Sequence, residues 1–107
     1  MKHMPTVVRE YFEADQANDV DALNRIFSHS AIVDDENTLH NGIVEIRTWW
    51  LAVKEKYHHF LEPFEVSSAG HISTVLTQVR GNFPNSPVTL KFQFTLENSK
   101  VIKLRIY

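Results

Sequence analysis

Cysteine is absent from the 107 residues, which excludes disulfides, thiol nucleophiles and thiolate metal ligands. No segment approaches the ~20 consecutive apolar residues that span a bilayer, so no membrane partner is expected. An apolar run ahead of a small-residue cleavage site is also lacking, so no secretory signal is expected and the expected compartment is cytoplasmic. Met1-Lys2-His3-Met4 reads in part as an expression leader. Charge of one sign does not dominate: the formal net charge is −2, and without a basic field no nucleic-acid partner is expected. There is no glycine-rich phosphate loop and no Gly-x-Ser-x-Gly, so nucleophilic hydrolysis has no support. The six histidines carry no ligand spacing. His58 and His59 are adjacent where a helical pair needs four-residue spacing, and His3, His29, His40 and His71 form no set. Neither a metal nor another cofactor is expected. Repeats, linkers and low-complexity tracts are missing as well.

What remains is a chain that is 43% hydrophobic and 11% aromatic. That is enough for one domain over residues 1–107, burying roughly two thirds of its unfolded surface. The stretch from Ala31 to Trp50 organises it. Ala31-Ile32-Val33 suits a strand, Asp34 to Asn37 has turn chemistry, and Asn41 is placed to cap a helix with Gly42 just inside. Ile43, Ile46, Trp49 and Trp50 then recur at helical spacing. One or two carboxylates therefore end a strand that an aromatic helix covers, which is how an acid is held beside an apolar cavity.

Around that stretch, Pro5 opens a first helix to about Ala17 carrying Val7, Val8, Tyr11, Phe12 and Ala14. Asn18-Asp19 ends it and caps a short second helix with Val20, Leu23, Ile26 and Phe27. Ser28-His29-Ser30 is read as a loop. The third helix is expected from about Ile43 to Phe60 and, being apolar nearly all round, to be buried on two sides. After Pro63 the pattern turns to strands, broken at Gly70, at Pro84-Asn85-Ser86-Pro87 and at Glu97-Asn98-Ser99-Lys100. Ile72 to Phe83 reads as one long strand. Val88, Leu90, Phe92, Phe94 and Leu96 alternate with polar residues, the mark of a half-buried strand. Helices first and an antiparallel meander afterwards make the chain α+β.

Several residues could carry chemistry. Asp35 could be a general base, since burial in an apolar site disfavours its charge; it could equally be a solvated turn residue or a hairpin cap. Strand parity leaves Asp34 and Asp35 open, because Asp34 shares a face with Ile32 and Asp35 with Val33. Tyr11 could donate to a developing oxyanion, or serve as a core aromatic with one hydrogen bond. Asp15, four residues on and on the same helix face, could be a second pocket acid or an exposed acid near the helix end. Trp49 and Trp50 cannot both face one way, so one is expected at the pocket and the other on the sheet. His58 and His59 read as favourable charge near a helix C-terminus. His71, at a strand start, could enter the pocket as an acid.

The order helix, short helix, acidic strand-hairpin, Trp-bearing helix and meander resembles the nuclear transport factor 2-like superfamily, and within it the SnoaL-like and ketosteroid-isomerase-like proteins. The likeness runs from about Pro5 to Tyr107. Val7-Val8-Arg9-Glu10-Tyr11-Phe12 is similar to the isomerase segment that holds an oxyanion-hole tyrosine, which puts Tyr11 in that place. Phe27 to Asp35 is similar to the segment ending in the general-base aspartate, which puts Asp35 there. Gly42 to Trp50 is similar to the helix whose aromatic pair borders the ligand pocket. The resemblance implies a cone-shaped, curved antiparallel sheet with three N-terminal helices enclosing a pocket, the cystatin-like architecture. The departures are Leu90, where the isomerase keeps a second, protonated aspartate, and Asp15, where it has an apolar residue.

The resulting expectation is cofactor-independent acid–base chemistry, of isomerase, cyclase or dehydratase type, on a small apolar or mixed molecule. Asp35, Tyr11 and Asp15 would be the catalytic groups, and Trp49, Trp50, Phe12, His71, Leu90 and Phe92 would line the pocket. Ketosteroid isomerisation itself is not expected. The alternative is a ligand-binding or dimerisation module without chemistry, with a nuclear-transport-factor-like interaction domain as a third reading. The resemblance also implies a homodimer through the outer sheet face.

Overall fold

Val7, Val8, Tyr11, Phe12, Ala14 and Asp15 make one buried stripe along helix α1 (Thr6–Ala17), as residues three and four apart must on an α-helix. The computed structural model describes His3–Tyr107; Met1 and Lys2, half of the expected leader, lie outside the described residues. α1 ends where Asn18 turns left-handed and donates its N–H to the Ala14 and Asp15 carbonyls. Asp19 Oδ1 accepts the Ala22 N–H and starts a 3-10 turn, Val20–Ala22, that runs into α2 (Leu23–Ile26).

Strand β1 (Phe27–Asp35) begins at once, so Ser28-His29-Ser30 is strand and not loop. A two-residue turn of Glu36 and Asn37, both at positive φ, joins it to β2 (Thr38–Asn41). That twist matches the natural twist of a hairpin. Gly42, at φ +84, takes a conformation that side chains resist and opens α3 (Gly42–Tyr57). The Asn41 side chain makes no cap; the Glu45 Oε1 reaches back instead and accepts the Asn41 N–H at 2.7 Å. α3 stops at Tyr57 because His58 adopts a left-handed conformation. It buries one face only, through Ile46, Trp49 and Trp50, and Val44 and Leu51 are exposed. The expectation of burial on two sides is corrected: its apolar residues outnumber its buried ones.

Strands β3 (Phe60–Ala69), β4 (Ile72–Arg80), β5 (Val88–Glu97) and β6 (Lys100–Ile106) form the antiparallel meander. The sheet order is β2-β1-β6-β5-β4-β3. The sheet is mixed and not wholly antiparallel, since β1 runs parallel to β6. Alternating residues encode which face of a strand is buried, not the direction of its neighbour, and the long path through α3 and the meander supplies the crossover a parallel pair requires. Register shifts within β1, at Phe64 in β3 and at Thr95/Leu96 in β5 bend the strands. The curved inner face, with Val33, Val75, Phe92, Phe94, Val101 and Leu104, packs under the helices as one core. Among the described residues no helix is long and apolar enough to cross a membrane.

Candidate functional site

The core does not fill one end of this curved sheet. A cavity of about 250 Å³ lies there between α1, α3 and the inner faces of β1 and the meander. Leu61, Val79, Val88, Leu90, Phe92 and Ile106 form its apolar wall.

Asp35 reaches this cavity by strand parity. Ala31 and Val33 are both fully buried on the inner face of β1, and Asp35 follows two residues later on that face. Asp34 falls on the other face and is not among the lining residues. The Trp49 Nε1–H donates to Asp35 Oδ2 at 3.0 Å. Partial burial raises the Asp35 pKa above its ordinary value. The Trp49 hydrogen bond pulls it partly back, and the neighbouring Glu36 charge adds to the rise.

Tyr11 sits deeper, 2% exposed, with its ring edge-on to Phe12, Phe27 and Phe94. Burial first, then the charges of Asp15 and Asp35, push its pKa well above the ordinary tyrosine value. It is therefore a neutral hydroxyl at any physiological pH, able to donate. The Trp50 indole offsets a little of that rise, and its N–H is buried with no hydrogen-bond partner among the described residues.

Asp15 is 3% exposed and is not the lone second acid of the sequence reading. Its Oδ1 accepts from Lys54 Nζ at 3.1 Å, and the same ammonium reaches the Asp15 carbonyl at 2.7 Å. Its Oδ2 lies 3.0 Å from His59 Nε2. The Lys54 ammonium also stands 5.0 Å from the centroid of the Trp50 ring. A buried carboxylate requires such partners. His59 lies in the link between α3 and β3 and is held from behind. The Asn82 N–H donates to the Tyr57 carbonyl at 2.7 Å, and at Gly81 any Cβ would come within 2.7 Å of that oxygen. At the rim the Tyr57 hydroxyl donates to Glu36 Oε1 at 3.3 Å.

Of the residues named from sequence, Asp35, Tyr11, Asp15, Trp49, Trp50, Leu90 and Phe92 are brought to this cavity. Trp49 and Trp50 both line it, against the expectation that only one would; adjacent helix positions stand about 100° apart, so both can border one cavity, and neither is turned wholly to the sheet. Phe12 is not at the cavity; it packs below, 5.7 Å from Phe92 and 5.9 Å from Phe94. His71 is not there either. It lies exposed in the β3–β4 turn, beside a surface depression shared with Pro5, Thr6 and Val7. Sequence reasoning missed His59 and Lys54. The available signal was Asp15 itself, an acid on the apolar face of α1 that needed a cationic partner.

The arrangement places a carboxyl with disfavoured charge, a neutral phenol and a carboxylate-held imidazole around one largely apolar space. It can take up and return protons on a small molecule.

Several solved structures are similar. One is described as a "putative polyketide cyclase" from Sinorhizobium meliloti: 40% identity, TM-score 0.95, covering 97% of this chain and 95% of that one. Another is the epoxide hydrolase/cyclase-like enzyme SalBIII, described for pyran ring formation in the polyether salinomycin. It shares 22% identity at a TM-score of 0.82, over 94% of this chain and 86% of its own. A third, of ketosteroid isomerase-like fold, comes from Catenulispora acidiphila and was solved with trimethylamine: 14% identity, TM-score 0.84, over 98% and 86%. The last two, at such identities, show the fold alone. No protein-family model and no curated protein matches the chain.

Proposed function

The chain belongs to the nuclear transport factor 2-like, SnoaL-like superfamily, and from that premise we propose that its cavity performs cofactor-independent acid–base chemistry on a small, mainly apolar carbonyl compound, of isomerase, cyclase or dehydratase type. The observation that carries the reading is Asp35: its charge is disfavoured by burial and it accepts one indole hydrogen bond, in a cavity lined mainly by apolar side chains. A carboxylate in that state is a stronger base than one in water. Asp35 would take a proton from carbon beside the carbonyl. The neutral Tyr11 hydroxyl would stabilise the oxygen as negative charge develops on it. His59, oriented by Asp15, would return or relay a proton at the far wall. The polyketide-cyclase description of the relative at 40% identity supports carbonyl chemistry of this kind. The active form would be a homodimer through the outer sheet face.

The test is exchange of the α-protons of cyclohexanone and 2-indanone in heavy water, followed by proton NMR. Wild-type protein should accelerate exchange, and Asp35→Asn should lose about 10²–10⁴ of that acceleration, the usual worth of a positioned base. A wild type that binds these ketones and exchanges none of their protons would make the domain a binding module.

A further inference from the structure

The buried cluster of Asp15, Lys54 and His59 leaves one nitrogen unused. The three side chains are 4%, 15% and 9% exposed. Both carboxylate oxygens of Asp15 are taken, Oδ1 by Lys54 Nζ at 3.1 Å and Oδ2 by His59 Nε2 at 3.0 Å. His59 Nδ1, the other ring nitrogen, makes no hydrogen bond among the described residues. It is not sealed in, since Trp50 Nε1 is the one enclosed side-chain nitrogen or oxygen there without a partner. His59 lines the cavity, and Lys54 does not. The free nitrogen therefore belongs to the cavity wall, and the ammonium is set back from it.

Counting donors and charges fixes what that nitrogen is. An ammonium only donates, and an ionised carboxylate only accepts. Lys54 pairs with Asp15 as an ion, so the hydrogen between Asp15 and His59 sits on Nε2. One positive charge already balances the one negative charge of the carboxylate. A second proton on the ring would leave a positive charge in surplus where little water reaches, and an uncompensated buried charge is costly. The ring is therefore neutral. Which nitrogen of a neutral imidazole is bare depends on the bond the other one makes, and here the bare one is Nδ1, an acceptor.

We infer that Lys54, acting through Asp15, presents His59 Nδ1 to the cavity as a hydrogen-bond acceptor, and that this end of the cavity selects ligands carrying a hydroxyl group: an alcohol, a phenol or an enol. His59 touches the ligand, and Asp15 and Lys54 are positioning residues. The charge of Lys54 decides the class of ligand. An imidazolium donates from both nitrogens and would hold a carbonyl or a carboxylate instead. A wall group built to pair with a hydroxyl discriminates against the analogue that lacks one, because its own polar atom is then left bare. The inference rests on the reading that the cavity takes a small molecule for acid–base chemistry, and deepens it to a hydroxylated substrate class. Size is compatible: a dry cavity of about 150 Å³ holds benzene, so about 250 Å³ holds phenol.

The experiment reads the ring nitrogens of ¹⁵N-histidine-labelled protein at neutral pH by long-range ¹H–¹⁵N correlation, with His59→Leu identifying the His59 signals. The expected spectrum has one protonated nitrogen, Nε2, and one bare nitrogen, Nδ1. Adding phenol should move the Nδ1 signal upfield, and toluene, of nearly the same shape without the hydroxyl, should not. His59→Leu should weaken phenol binding about tenfold, the size of one hydrogen bond, and leave toluene binding unchanged. In Lys54→Met the ring is left as the only counter-charge to Asp15, so both nitrogens should carry protons and phenol binding should fall as in His59→Leu. The inference is overturned if wild-type His59 carries its proton on Nδ1 or on both nitrogens, or if folded wild type binds no phenol. It is overturned equally if phenol binds with Nδ1 unmoved, or if Lys54→Met keeps the wild-type ring state and phenol affinity. The two readings fail separately. A moved Nδ1 signal without ketone proton exchange removes the acid–base function and leaves the hydroxyl site standing. Exchange that depends on Asp35 while phenol leaves Nδ1 unmoved removes the hydroxyl site alone.

Discussion

The Trp49 Nε1–H and Asp35 Oδ2 meet at 3.0 Å, one from the middle of α3 and the other from the last residue of β1. Among the described residues the contact is the one hydrogen bond given to a carboxylate whose charge burial disfavours. Its consequence is a pH-dependent penalty. The folded-state pKa is raised, so over the interval from the ordinary carboxylate value up to the raised one the folded protein holds a proton that the unfolded chain has lost. Stability therefore falls as pH rises through that interval and is level above it. Asp35→Asn keeps the shape and the acceptor for Trp49 while removing the charge. Its stability relative to wild type should be least below the interval and should rise through it to a plateau, neutral or favourable, at pH 7. Urea unfolding of both proteins from pH 3 to pH 8 checks this; a difference that does not change with pH would contradict it.

The Asp15–Lys54 pair predicts a different pattern. The Asp15 and Lys54 side chains are 4% and 15% exposed, so Asp15→Leu leaves an ammonium without its counter-charge and an imidazole without its hydrogen-bond partner. The cost should be about 3–5 kcal/mol, as for other buried pairs that lose one member. Asp15→Leu combined with Lys54→Met should recover most of that loss, since replacing both charges by apolar groups is often neutral or better. Denaturant midpoints of the wild type, the two single variants and the double variant provide the cycle. A double variant as unstable as Asp15→Leu alone would mean that His59, and not Lys54, is the partner that matters.

The proposed dimer face has a charge pattern of its own. On the outside of the sheet Glu62 and Glu65 lie on β3, and Lys91, Lys103 and Arg105 lie on β5 and β6. Two copies related by a two-fold axis can set one group against the other. Light scattering at micromolar concentration should give a dimer mass, and about 1 M salt should weaken the association by screening. A monomer at low salt would contradict it.

Steroid isomerisation should be negligible. Leu90 lines the cavity, so no carboxylic acid stands there to share the oxyanion with Tyr11, and losing one such donor costs roughly 10²–10³ in rate. At about 250 Å³ the cavity is also below the ~300–1,000 Å³ usual for drug-sized ligands. A spectrophotometric assay with a Δ5-3-ketosteroid should show no turnover in wild type. High turnover would refute both arguments at once.

Much of the fold was legible because the middle of its meander alternates: Val88 to Phe94 in β5 admit one reading. The first helix, its Asn18-Asp19 end and the turns at Gly70 and Asn98-Ser99 were legible from local chemistry. The direction of β1 against β6 was not, because alternation marks the buried face of a strand and not the direction of a neighbour distant in sequence. The cavity residues divide the same way. Asp35, Tyr11, Leu90 and Phe92 follow from position along single elements. The choice of Asp35 over Asp34 needed Val33, and not Ile32, to be the buried neighbour, and both are apolar. His59 was hidden because one left-handed residue, His58, ends α3 and redirects the chain. A helix carried on to Phe60 would have placed His59 on the surface.

Asp35 as a half-buried base carries the proposed chemistry, and its carboxyl titration tests that directly. Protein carrying ¹³C-labelled aspartate should show the Asp35 carboxyl protonating above the ordinary aspartate value. The midpoint should move further upward in Trp49→Phe, which removes the hydrogen bond that favours the charged form. A midpoint at or below about 3.9, the ordinary aspartate value, unchanged in Trp49→Phe, would show a solvated turn carboxylate and contradict the account.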